Sequence, residues 1–99
     1  MNIPEFTWLM GMKITTEFDG TLCARKQLIG EADYRQQKIV LDDSVCTQEI
    51  LEQSYIHELV HWILFLMNRQ ELRNDEDFVD TFAHLIYQAN IMQNNDVKN

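Results

Sequence analysis

Residues 54–67 read SYIHELVHWILFLM, and this run constrains the chain more than any other. Its apolar spacing is helical, yet Trp62, Leu64, Phe65 and Met67 leave the last turns apolar all round. A helix of that kind needs cover on both sides. The same run holds His57, Glu58 and His61, polar groups that a covered helix must pair or use. From Ile56 to Met67 it is too short to cross a bilayer.

The cover has to come from the remainder of 99 residues, which is one domain's worth of chain. From Phe6 to about Leu41 the sequence is rich in β-branched and aromatic residues and is punctuated by Gly11, Gly20 and Gly30. About three strands are expected there. Alternation in MKITTEF puts Met12, Ile14, Thr16 and Phe18 on one face. LIGEADYRQQKIVL reads as a hairpin turning near Arg35 and Gln36.

After Asp43 the periodicity changes. Thr47 caps a helix with Glu49 in its first turn, where negative charge suits the dipole, and the helix runs to about Asn68. Its expected core stripe is Ile56, Leu59, Ile63 and Leu66, with Ser54, His57, Glu58 and His61 on the other side. A second helix is expected from about Asp75 to Ile91, with Phe78, Val79, Phe82, Ala83 and Ile86 as its apolar stripe. The expected architecture is α+β: a small N-terminal sheet, antiparallel or mixed, then two antiparallel helices. One domain spans residues 1–99, with a core of about 5–91 and a frayed tail over 92–99.

A formal charge of −8 argues against attraction to phosphate backbones or anionic lipid, so neither nucleic acid nor a membrane is an expected partner. The two cysteines, Cys23 and Cys46, match no metal spacing, and no signal-peptide pattern precedes the domain. They read as reduced thiols of a cytoplasmic protein.

His57-Glu58-Leu59-Val60-His61 has the H-E-x-x-H pattern, and the spacing has a mechanical reason. Residues four apart on a helix differ by about 40° in direction and about 6 Å in height, so both imidazoles reach one ion. Glu58 points about 100° aside, suited to take a proton from a zinc-bound water rather than bind the metal. The plainer reading is a solvated polar face, but such a pentapeptide arises by chance in fewer than about one in a hundred chains of this length.

Catalytic zinc takes three protein ligands and leaves one position to water. If the chain reverses around residues 68–73, Glu76 comes level with His61 and Asp80 level with His57. Glu76 is then the third ligand. Asp80 accepts a hydrogen bond from the second nitrogen of His57 or is itself the ligand. An acidic first turn serving only the helix dipole is the alternative, and Asp75 and Asp77 are read that way.

HELVH followed by EDFVDTFAHLI resembles the gluzincin zinc metallopeptidases, and most of all their small ImmA/IrrE-like and phage-encoded members. Their third-ligand helix reads E-x-x-x-N/D-x-F-A-x-x-L/I, which Glu76, Asp80, Phe82, Ala83 and Ile86 match. The Gly30-to-Asp33 and Ile39-Val40-Leu41 segments also resemble their sheet, so the similarity spans residues 5–90. It implies a zinc-dependent peptidase acting on a protein or peptide, in a phage or mobile-element regulatory setting.

For stabilising an oxyanion the sequence offers Tyr34, Tyr55, His84 and Tyr87, none of them singled out by register. The strand around residues 37–41, if at the sheet edge, would hold substrate as an added strand. Two other functions remain open: a non-catalytic metal-binding or protein-interaction module of the same fold, and an acidic imitation of DNA.

Overall fold

The computed structural model describes residues 1–95, with side chains through residue 90. Strands β1 (Phe6–Leu9) and β2 (Met12–Phe18) form a hairpin, followed by a short helix α1 (Leu22–Lys26). A second hairpin comprises β3 (Gly30–Asp33) and β4 (Lys38–Leu41). Helices α2 (Gln48–Leu66), α3 (Gln70–Arg73) and α4 (Glu76–Asn95) complete the chain. The class is α+β, as expected, with four strands rather than about three.

The sheet order is β1-β2-β4-β3. β2 pairs in parallel with β4, and the two hairpin pairings are antiparallel, so the sheet is mixed. β4 is therefore an interior strand, which corrects the expectation that residues 37–41 lie at the edge. The edge strand on that side is β3. Met10 and Gly11 make the first turn with φ of 49° and 79°, the positive values that a tight two-residue hairpin needs at both central positions. The second turn falls where the sequence put it: Asp33 Oδ1 accepts from the Arg35 and Gln36 backbone N–H groups.

Thr47 caps α2 by accepting from the Ile50 N–H. The helix is covered on two sides, by β3 and β4 and by α4, and its buried positions run round it accordingly. Leu51, Tyr55, Ile56, Val60, Trp62 and Leu64 are buried, whereas Leu59, Ile63 and Leu66 are only half-buried. The single core stripe expected at Ile56, Leu59, Ile63 and Leu66 is thus replaced by burial on two faces. Trp62 is fully enclosed, and its indole N–H reaches the Lys38 carbonyl at 3.1 Å, tying α2 to β4.

On α4 the buried line is Val79, Ala83 and Tyr87, while Phe82 and Ile86, expected inside, are exposed. Phe82 stacks on Phe78 instead. In β2 the alternation holds at Met12, Ile14 and Thr16, but Phe18 at the strand end is exposed. α4 continues past Ile91 to Asn95, and the rest of the expected tail, residues 96–99, lies outside the described residues.

α1 has no counterpart in the sequence reading. Asp19 accepts from the Thr21 N–H and hydroxyl at its start, and Gln27 ends it at a φ of 59°. The buried Asp42 then fixes it from a distance, accepting from the Cys23 N–H at 3.0 Å and from the Ser44 N–H at 2.9 Å. Cys23 and Cys46 are both free thiols.

Candidate metal centre

After α2, Asn68 turns the chain at a φ of 58°, and α3 carries it to Asp75, whose side chain accepts from the Phe78 N–H. α4 then returns along α2. The reversal sets Glu76 opposite His61 and Asp80 opposite His57, the register the sequence led us to expect.

Glu76 Oε1 lies 3.3 Å from His57 Nε2 and 3.3 Å from His61 Nε2. One ligand atom from each of the three residues falls within 4.8 Å of the others, the only such group of three or more His, Cys, Asp or Glu residues among the described residues. On its other ring nitrogen, Nδ1, His57 meets Asp80 Oδ1 at 2.9 Å. Asp80 thus sits on the far side of the His57 ring from Glu76, and Nε2 is the nitrogen turned toward Glu76 and His61.

The fit to zinc can be tested on these distances. Ligand atoms about 2.05 Å from a tetrahedral ion stand about 3.3 Å apart. Both histidine-to-Glu76 separations have that value. The donor set, two imidazoles and one carboxylate, is also one that catalytic zinc takes. Burial, opposed by the neighbouring Glu76 charge and aided by His57, holds the His61 pKa below its ordinary value, so its imidazole stays neutral and able to coordinate.

Glu58 lies on the β3 side of α2. Burial first, then the charge of Glu76, pushes its carboxyl up to about 8, although the Ala32 backbone N–H donates to it and pulls the other way. Gly30 makes this placement possible. A Cβ at residue 30 would stand 3.1 Å from Glu58 Cγ and 3.2 Å from both Glu58 Oε2 and Leu41 Cδ2.

The four oxyanion candidates separate clearly. Tyr55 is in the core. Tyr87 donates to Glu52 Oε1 at 2.9 Å, far along the helix pair from Glu76. His84 lines the same cavity as His57. Tyr34 stacks on Phe65 at 4.2 Å, and the charges of Glu58 and Glu76 both act on its hydroxyl, placing it on the His61 side of the cluster.

Sequence reasoning missed Arg73 altogether. Its guanidinium sits 5.2 Å from the Tyr34 ring and 5.3 Å from the Phe65 ring, and its charge is felt at His61. Arg73 Nε is the one buried side-chain nitrogen or oxygen without a partner among the described residues. α3 is only four residues long, too short to carry a periodic signal that would have pointed to its last residue.

No protein-family model, curated protein or solved structure matches the chain. No helix among the described residues is long and apolar enough to cross a membrane.

Proposed function

We propose that this protein is a zinc-dependent metallopeptidase that hydrolyses a peptide bond in a protein substrate. The observation that carries the proposal is the convergence of His57 Nε2 and His61 Nε2 on Glu76 Oε1, both at 3.3 Å. In this reading His57, His61 and Glu76 hold the ion and Asp80 fixes the tautomer and direction of His57. A zinc ion held there would supply Lewis acidity toward water and toward the substrate carbonyl.

The chain's own residues do the rest. Glu58 accepts the proton of the attacking water and returns it to the leaving amine, which requires a carboxylate that is held but not coordinated. The Ala32 N–H and the space left at Gly30 hold it in that place. A carboxyl pushed up by burial is a stronger base than an exposed one, and a bound cation nearby would draw its pKa back toward neutrality. β3, the edge strand beside Glu58, aligns an extended substrate segment as an added strand. Two free thiols suit a reducing compartment, so the cytoplasm is the proposed location. A regulatory protease of a phage or mobile element is the setting that the sequence resemblance implies.

Metal analysis combined with a cleavage assay tests this. Wild-type protein should carry zinc near one equivalent, lose it in His57→Ala and Glu76→Ala, and keep it in Glu58→Gln, which should lose only turnover. Zinc retained in Glu76→Ala but lost in Asp80→Ala would reverse the ligand assignment. Exposed Phe82, stacked on half-buried Phe78, favours a second reading, a protein-docking module in which the metal is structural. Stoichiometric zinc with no cleavage of any protein would select it.

A further inference from the structure

A cavity of about 760 Å³ opens beside the metal cluster, on the His57 side. Its lining includes His57, Glu58 and Asp80 together with Leu28, Ile50 and Leu85. These three large apolar residues come from three separate segments: the approach to β3, the first turn of α2, and α4. All three are left open to solvent, at 41%, 44% and 57% exposure. Scattered exposed apolar residues are ordinary, but three that converge on one concavity from different elements form a surface that gains by being covered.

The charge of the groove narrows what can cover it. Its lining contains no Lys or Arg and carries the exposed Asp80 carboxylate, in a chain whose net charge is −8. An acidic segment entering there meets like charge, whereas a cationic one is drawn in.

From this juxtaposition we infer that the groove is the specificity site of the proposed peptidase, and that it selects a peptide segment with a bulky aliphatic residue flanked by basic ones. The inference rests on the metallopeptidase reading for its link to cleavage, but not for binding itself. Leu28, Ile50 and Leu85 bury the aliphatic side chain, while Asp80 and the lack of any lining Lys or Arg favour the basic neighbours. The groove shares His57 and Glu58 with the reacting centre, so a residue seated in it lies beside the bond to be cut.

The test uses an end-blocked, fluorescein-labelled Gly-Ser peptide with a central Leu between two Lys residues. Two counterparts replace the Leu by Ser or the Lys pair by Glu. Anisotropy with Glu58→Gln protein, as purified, reads binding without turnover, and mass spectrometry with wild type reads cleavage. The Leu–Lys peptide should bind about tenfold or more tighter than the Ser counterpart, the gain expected from burying one aliphatic side chain, and also more tightly than the Glu counterpart, which meets like charge. Leu85→Gln, a change at an exposed position, should erase the Leu preference while circular dichroism and zinc content stay as in wild type.

Equal binding of all three peptides, no binding of any, or an intact preference in Leu85→Gln overturns the inference. Selective binding without cleavage by wild type would leave the groove standing and remove the peptidase. Cleavage without selectivity would do the reverse.

Discussion

Helices α2 and α4 enclose two polar clusters, one at each end of their contact, and the clusters differ in a way that separates structure from chemistry. At one end Glu52 is buried and answered: Tyr87 donates to it at 2.9 Å, Gln48 at 3.0 Å and the terminal amine at 3.4 Å. At the other end His57 and His61 converge on Glu76, which is 64% exposed, and His57 on Asp80, 73% exposed. A carboxylate that has been desolvated and surrounded by donors has no capacity left for a ligand. Exposed carboxylates aimed at half-buried imidazoles have such capacity, and they cost little to keep open. The first cluster locks the helix pair; the second is available.

The largest expected effect tests that separation directly. His61→Ala should weaken zinc binding on the order of 10³-fold, the share of one ligand in a three-ligand site, whereas Glu52→Gln should leave zinc affinity unchanged within about twofold. Competition with a chromophoric chelator measures both. A parallel loss of zinc in the two variants would mean that the clusters are one coupled unit, and the comparison would break.

Stability should show the opposite ranking. Glu52→Ala leaves the Tyr87 hydroxyl buried without its acceptor and should cost about 2–3 kcal/mol in urea unfolding. Glu76→Ala in zinc-free protein should change stability by about 0.5 kcal/mol or less, because the side chain is exposed. Asp80→Asn sharpens the picture within the open cluster. It keeps the shape but weakens the hold on His57 Nδ1, and zinc affinity should fall about 10- to 100-fold with the fold intact.

How legible these features were in the sequence follows from how local their causes are. The H-E-x-x-H pair depends only on helical spacing, and the Glu76 register depends on one short reversal, so both could be read from neighbouring residues. The Glu52–Tyr87 pair spans 35 positions and has no periodic signature. α1 escaped notice because Asp42, which holds the Cys23 N–H, lies 19 residues away. The interior place of β4 depends on a parallel pairing with β2, again a long-range event. Amphipathicity misled where cover was two-sided: Leu59, Ile63 and Leu66 looked like the core stripe of α2, while Trp62 became its most enclosed residue. On α4 the apolar Leu85 lies outside the core and lines the groove beside His57.

The smallest effects fall at the closed cluster and concern pH. Burial alone would raise the Glu52 carboxyl, but the hydrogen bonds from Gln48 and Tyr87 and the amino-terminal charge outweigh it and hold it below 4.5. A folded-state pKa below the unfolded one adds stability above the unfolded value, and that stability is lost as pH falls through the folded value. The Tyr87 hydroxyl moves the other way: burial, then the hydrogen bond to Glu52, pushes it from 10.0 up to about 12. Its contribution is complete below pH 10.0 and disappears as pH rises through about 12. Tyr87→Phe removes one hydrogen bond and should cost about 1 kcal/mol near neutrality. Because the two groups are bonded to each other, the variant should also flatten both the acid and the alkaline limbs of urea stability against pH. A variant that shifts the whole curve downward without changing either limb would show that Tyr87 only fills space, and that Glu52 is held by its other partners alone.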